Sequence, residues 1–338
     1  MAEGRPAAAR AFDYAAAAKE SVACPLCGQV SFERLASIDR YGMGLATVGC
    51  RGCGLVQTRP RLTIHGFADF YRQSYRAYYQ GVFEPSADYV RQMNKGVRLD
   101  ATAAWLRAAG ALDGAAAVLD VGCSEGTLFA ALRRAGFAGA LCGVEPNDAF
   151  RDYTKAEHGA DVVAAEEELP EAWRGTIGLA TMIHVLEHVA DPVATLARLR
   201  GFLAGSGHLY VDVPDVVEYS SVNDLHIAHV FHFGADTLRN TLSAAGYEVI
   251  RLEAHRPPGH PPSLRALARP ASPAARTGAA DEAAAATTAS SAGDDEPAGW
   301  AEVRRINRAR HRLALKRLVR STLARSPLYA ALRARRRR

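Results

Sequence analysis

One stretch constrains this 338-residue chain more than any other: Val118-Leu119-Asp120-Val121-Gly122-Cys123-Ser124-Glu125-Gly126-Thr127-Leu128-Phe129. A short apolar run passes into a glycine-bearing turn and then into the start of an amphipathic helix. A strand that enters a tight turn and a helix is a nucleotide-cradling device. Turn amides and the helix N-terminus face the ligand, and glycine lets the backbone approach closely. The amides of Gly122–Gly126 are expected to meet a carboxylate. The spacing is D-x-G-x-x-x-G, not the G-x-G-x-x-G that brings a pyrophosphate against a helix. Cys123 and Ser124 stand where a dinucleotide would need room, and Cys123 reads as a packing residue.

The stretch opens a regular alternation. Strand patterns fall at 117–121, 140–145, 160–164, 177–183 and 207–213, with helical patterns between them at 126–135, 147–158 and 191–203. Such alternation implies α/β architecture with a parallel, doubly wound, Rossmann-like sheet. A helix over Ala235–Ala245 stops at Gly246, and Tyr247–Ala254 and Ser263–Ala268 read as closing strands around a proline-rich loop.

A second acidic residue sharpens the ligand. Glu145 closes the second strand, near the ~20-residue offset after the turn at which a carboxylate takes ribose hydroxyls in such units. S-adenosylmethionine presents a carboxylate, an ammonium, a ribose diol and a sulfonium. The turn suits the first, Asp120 the second and Glu145, followed by Pro146, the third. The competing reading makes Asp120 and Glu145 ordinary caps.

Of six cysteines, four form two C-x-x-C-G knuckles, Cys24-Pro25-Leu26-Cys27-Gly28 and Cys50-Arg51-Gly52-Cys53-Gly54. Two such knuckles supply four thiolates to a structural zinc ribbon, with no open coordination position for catalysis. Buried or redox cysteines are the alternative.

Leu119–Gly126, then Glu145, then His184-Val185-Leu186-Glu187-His188-Val189 with Asp191-Pro192, resemble class I S-adenosylmethionine-dependent methyltransferases. His229-Val230-Phe231-His232-Phe233 and Ala245-Gly246-Tyr247-Glu248-Val249 extend the resemblance. The knuckles, with Asp39-Arg40-Tyr41-Gly42 and Gly54-Leu55-Val56-Gln57, resemble the zinc-binding front domain of methyltransferases from sugar and polysaccharide pathways, among them deoxysugar C-methyltransferases. The resemblance covers about Cys24 to Pro270. It implies cofactor contacts from Asp120, Gly122, Cys123, Gly126, Glu145, Pro146, Glu166 (toward the adenine amine) and His184. Many relatives carry Asp where this chain has Gly178.

Methyl transfer is an in-line displacement that needs alignment, plus a base when a hydroxyl or an activated carbon attacks. His226, His229 and His232 follow the fifth strand at its carboxyl end, where open α/β sheets hold substrates. His229 matches the basic histidine of a Tyr-x-Glu-His stretch in the deoxysugar C-methyltransferases. There Ala228 replaces the glutamate and His226 the tyrosine, which leaves O- and C-methylation equally open. Each histidine can equally be a loop residue bonded to backbone, and His184 and His188 can be structural.

The remaining segments complete the layout. Residues 1–20 are Ala-rich and expected to be disordered or a loose helix, 21–60 form the ribbon, and 61–112 form an aromatic helical segment. The stripe Phe67, Phe70, Tyr71, Tyr75, Tyr78, Tyr79 at helical spacing is core or a lid. Residues 113–270 form the cofactor domain, 271–299 a disordered linker, and 300–338 a basic amphipathic helical tail. That tail holds fourteen Lys/Arg against one Glu, and the rest of the chain 27 Lys/Arg against 35 Asp/Glu. The net charge of +5 is therefore a tail property. No specific nucleic-acid partner is expected. The tail is either solvated or in contact with an anionic membrane surface or an acidic partner. The absence of a long apolar run or signal-like N-terminus points to the cytoplasm. The expected activity is methyl transfer to a sugar or glycosylated small molecule. The competing readings are an RNA methyltransferase, which lacks an Asn-Pro-Pro-Tyr motif here, and a non-catalytic zinc-ribbon scaffold.

Overall fold

The computed structural model describes residues 12–40, 44–75, 84–93, 95–272, 296–309 and 312. The front of the chain is a small antiparallel unit. Strand β1 (Lys19–Glu20) is followed by β2 (Phe32–Ala36), β3 (Thr47–Cys50), β4 (Val56–Thr58) and β5 (Arg61–Leu62). β2, β3 and β4 form a meander, while β5 turns back to pair with β1. Residues 12–20 are therefore packed, contrary to the disorder expected of them. Tyr14 is buried and Phe12 lies against Phe70 with ring centroids 4.9 Å apart. Two aromatic anchors outweigh the alanine-rich composition around them.

Helix α1 (Ile64–Phe70) begins at Thr63, whose hydroxyl accepts from the Gly66 amide, and runs into a π-helical turn over Tyr71–Tyr75. Helices α2 (Ala87–Met93) and α3 (Gly96–Ala108) follow. Tyr78, Tyr79 and Phe83, part of the expected aromatic segment, lie outside the described residues.

The main sheet then alternates as its sequence period demands. Strand β6 (Ala117–Val121) leads to α4 (Thr127–Arg134), β7 (Ala140–Val144) to α5 (Asp148–His158), β8 (Asp161–Val163) to β9 (Ile177–Ile183), and α6 (Pro192–Arg200) to β10 (Leu203–Pro214). After the short β11 (Phe231–His232) come α7 (Ala235–Ala244), β12 (Tyr247–His255) and β13 (Ser263–Pro270). Asn147 and Asp191 cap α5 and α6, accepting from Phe150 and Ala194 amides, and Pro192 fills the first turn where no amide partner is needed.

The seven strands lie in the order β12-β13-β10-β9-β6-β7-β8. β8, β7, β6, β9 and β10 are parallel; β13 and β12 are antiparallel. β6 is buried along its whole length, as a strand covered on both faces must be. The strand order reverses between β6 and β9, and ligands bind at the carboxyl ends beside such a reversal.

Long-range contacts join the front unit to the rest of the chain, two of them extensive. β11 adds to the edge of β4, pairing Phe231 with Gln57 and His232 with Val56. The helix over 300–309 buries Trp300, Val303 and Ile306 against Leu35, Val56, Val216 and Tyr219. The Trp300 indole N–H donates to the Gly54 carbonyl at 2.9 Å, and a Cβ on Gly49 would strike its ring. The start of the expected tail is thus docked rather than solvated, while residues 313–338 and 273–295 lie outside the described residues. Trp300→Ala is expected to cost about 3 kcal/mol, the lower range for truncating a buried indole. A denaturant midpoint unchanged by the substitution would show that the segment does not dock.

Candidate active site

The carboxyl ends of β6, β7 and β9 open into a cavity of about 760 Å³. Asp120, Gly122, Cys123, Glu145, Pro146, Glu166 and His184, all expected from the sequence, share its wall. Gly126 lies beneath it. At φ 76° Gly126 takes a left-handed turn conformation, and a Cβ there would meet the His158 ring at 2.2 Å. Gly122, at φ 75°, leaves room for Val185, whose Cγ2 would lie 2.5 Å from an added Cβ. Both positions require glycine for conformation and for space.

The turn corrects one expectation. Four of its five amides are not free for a ligand carboxylate. Gly122 and Cys123 N–H groups both donate to the Val144 carbonyl, at 2.8 and 3.0 Å. The Ser124 amide donates to Glu145 Oε2 at 3.1 Å, and Gly126 to the Cys123 carbonyl. The turn is spent on fixing itself and Glu145. Asn147 N–H holds the other Glu145 oxygen at 2.9 Å, so the carboxylate is clamped at the strand end. Ser124 sits at φ 55°, a strained conformation for a residue with a Cβ. Cys123 packs as expected, with its sulfur against Gly143.

Asp120 is buried, and its Oδ1 accepts from the Thr181 hydroxyl at 2.6 Å. Burial pushes its carboxyl up to about 7. Burial likewise pushes Glu166 up to about 7, with the Glu167 carboxylate adding to it. A carboxyl in this state gains from any cation placed beside it.

Two basic residues of the wall were missed in the sequence. Lys95 and Arg98 lie one turn apart at the start of α3 and face the cavity. Lys95 is paired with buried Glu125 at 2.9 Å. The Arg98 guanidinium is largely buried, and its Nη1 has no hydrogen-bond partner among the described residues. Basic residues three apart in a segment already read as a lid were the available signal. Phe67, Tyr71 and Tyr75 of the aromatic stripe do line the cavity, whereas Phe70 is core, so both readings of that stripe apply to part of it.

The wall is also imidazole-rich. His184, in a strained φ of 54°, His188 and His260 line the cavity, with the His184 and His260 ring centroids 4.1 Å apart. Behind His184 lies buried Asp212, whose Oδ2 is 3.2 Å from His255 Nε2. The histidines expected as bases sit one layer further back and are absent from the cavity wall. His226 and His232 are buried; His232 Nδ1 shares a hydrogen bond of 2.9 Å with the Tyr219 hydroxyl, a structural role. His229 reaches the site through Glu187, whose Oε1 is 3.9 Å from His229 Nε2 and 3.8 Å from His188 Nε2. The reason is the pairing of β11 with β4. It draws 229–232 toward the front unit, where Thr58 N–H donates to the Val230 carbonyl and the Thr58 hydroxyl to the His229 carbonyl. Burial lowers the proton affinity of His184, to about 4, and of His188, so both imidazoles are neutral at pH 7.

The four knuckle cysteines converge. All are free, and their sulfurs lie within 4.8 Å of one another, with Cys24–Cys53 and Cys27–Cys50 each at 3.5 Å. The Gly28 and Gly54 amides close the knuckles onto the Cys24 and Cys50 carbonyls. Four sulfurs in one tight group fit a tetrahedral thiolate site. No helix among the described residues is long and apolar enough to cross a membrane.

Curated protein sequences give no significant match. Among solved structures, the chain is similar to a Burkholderia thailandensis 1,6-didemethyltoxoflavin-N1-methyltransferase with bound 1,6-didemethyltoxoflavin and S-adenosylhomocysteine. That match has 18% identity, covers 64% of this chain and 96% of that one, and has a TM-score of 0.49. It is also similar to a Synechocystis magnesium protoporphyrin IX methyltransferase, at 15% identity, 60% and 97% coverage and a TM-score of 0.44. Residues 89–252 match the family model described as a methyltransferase domain. With that match on the strand order and the acid-lined glycine turn, the chain carries a methyltransferase domain over residues 89–252.

Proposed function

We propose that the protein transfers the methyl group of S-adenosylmethionine to a sugar or a glycosylated small molecule, at oxygen or carbon. The observation that carries this reading is one cavity lined by two kinds of group: clamped acids with a glycine turn, and tyrosines with neutral imidazoles. At the donor end, Asp120 meets the ammonium, Glu145 the ribose diol and Arg98 the methionine carboxylate. Glu166 is close enough on the wall to serve the adenine amine. The zinc expected at Cys24, Cys27, Cys50 and Cys53 is structural and would hold β3 and β4 together.

At the acceptor end the nucleophile attacks the methyl carbon in line with the departing sulfur. The C–S bond breaks as the new bond forms, and S-adenosylhomocysteine leaves. The acceptor's proton passes to a neutral imidazole. His188 is the base we assign, because it faces the cavity while its Nδ1–H donates to the Ala228 carbonyl at 2.7 Å, which leaves Nε2 as the acceptor nitrogen. His229 and Glu187 are positioning residues behind it. His226 and His232 hold the loop. The rings of Tyr71 and Tyr75 lie about 6 Å from the His188 ring, a surface on which the apolar face of a sugar can stack.

The test is methyl transfer from a labelled cofactor to a panel of nucleotide sugars, glycosylated phenols and RNA, using the full chain. Transfer to a sugar hydroxyl or sugar carbon is expected. His188→Ala should then lower kcat by about 100-fold or more, the low end of general-base effects, with the S-adenosylhomocysteine affinity changed less than about threefold. Transfer to RNA alone would overturn the substrate class.

A further inference from the structure

Among the described residues, Glu187 is the most poorly satisfied buried acid. It is 1% exposed, and neither carboxylate oxygen has a hydrogen-bond partner among the described residues. A buried carboxylate in that condition is costly unless a cation or proton sits beside it. Three imidazole nitrogens face it, none in a hydrogen bond with it. His184 Nδ1 is 3.4 Å, His188 Nε2 3.8 Å and His229 Nε2 3.9 Å from Glu187 Oε1. His188 Nδ1–H is committed to the Ala228 carbonyl, so its Nε2 turns a lone pair toward the carboxylate. Two acceptors that face one another across less than 4 Å repel unless something positive lies between them.

The backbone builds this arrangement deliberately. The Glu187 carbonyl accepts from both the Val230 and Phe231 amides, which fastens the 229–232 segment against the end of β9. One ligand atom each from Glu187, His188 and His229 lies within 4.8 Å of the others. The second contact of His188, through Nδ1 to a carbonyl, is the outer contact that fixes the tautomer of a metal-binding histidine.

We propose that Glu187, His188 and His229 bind a divalent transition-metal ion of the zinc class, separate from the four-cysteine site. Two imidazoles and one carboxylate form a catalytic type of donor set, with a position left open for an outside ligand. His188 is the member on the cavity wall, so the open position faces the acceptor end. An oxygen of the acceptor is the ligand that fits it; a metal held there would take the His188 nitrogen assigned above as the base and would itself acidify that oxygen. This last point rests on the acceptor reading above, whereas the metal site itself does not.

The experiment counts metal in tag-free, full-length protein by mass spectrometry, beside Glu187→Gln and His229→Gln. The expected result is one transition-metal ion per chain fewer in each variant than in the parent, with S-adenosylhomocysteine still bound. Re-addition of Co²⁺ to chelated parent protein should restore a nitrogen/oxygen-type visible spectrum that Glu187→Gln lacks. If one variant fails to fold, the other carries the test. Equal metal counts in parent and folded variants overturn the proposal, and a thermally more stable Glu187→Gln with equal metal would identify Glu187 as a buried carboxyl held by a proton. The count is read without turnover, so it can fail while methyl transfer stands, and the reverse.

Discussion

Replacing Asp120 with Asn should weaken S-adenosylhomocysteine binding by about 10- to 100-fold, the loss expected for one charged hydrogen bond, while it makes the ligand-free protein more stable. Both effects come from the same burial. The Asp120 carboxyl is held up to about 7 against an ordinary value of 3.8. Between those two pH values the folded chain keeps a proton that the unfolded chain releases. Stability therefore falls as pH rises from about 4 to 7 and levels off above. Asn keeps the carbonyl oxygen that the Thr181 hydroxyl needs and removes the ionisation. The gain above pH 7 is expected to be on the order of 1–3 kcal/mol. Glu166 and Glu187 are raised by burial in the same direction, so the difference between variant and parent isolates Asp120. Melting curves of both proteins from pH 4 to 8, without ligand, measure it. Curves that stay parallel would deny the burial argument. An ammonium placed beside Asp120 is what the lost stability is exchanged for.

Loss of a knuckle cysteine should act at the acceptor end more than at the donor end. Cys50 ends β3, β3 pairs with β4, and β4 carries β11 on its free edge. Removing a zinc ligand destabilises a ribbon strongly, since metal binding and folding are one event there. In this chain the consequence travels two strands further and releases 229–232 from Glu187. Misplacement by about 1 Å can cost about 100-fold in rate. Cys50→Ser is therefore expected to lower turnover by about 100-fold or more while the Kd for S-adenosylhomocysteine shifts less than about threefold. Chelation of the parent protein should do the same. Turnover that survives both treatments would make the ribbon an independent appendage.

The legible parts of this fold are those that local pattern decides. Strand β6 at 117–121 and β9 at 177–183 match their apolar runs because strands buried on both faces need them. Asp120 and Glu145 were readable as strand-end acids from position alone. The illegible parts depend on contacts between distant segments. β11 is two residues long and exists only because β4 offers an edge, so nothing in Phe231-His232 announces a strand. The same pairing moves His226, His229 and His232 off the cavity wall, where His188 stands instead. The turn amides looked available because the sequence cannot say that Val144 and Glu145 consume them. Arg98 was hidden in a helix whose face is set by packing, and Trp300 in a segment whose charge suggested a solvated tail.

The central claim is that the cavity beside Asp120 and Glu145 holds S-adenosylmethionine. Calorimetric titration of the full-length protein with S-adenosylhomocysteine tests it most directly. One molecule bound per chain, with affinity reduced by Asp120→Asn, is the predicted result. The absence of both binding heat and thermal shift at millimolar ligand, in protein that melts cooperatively, would contradict it.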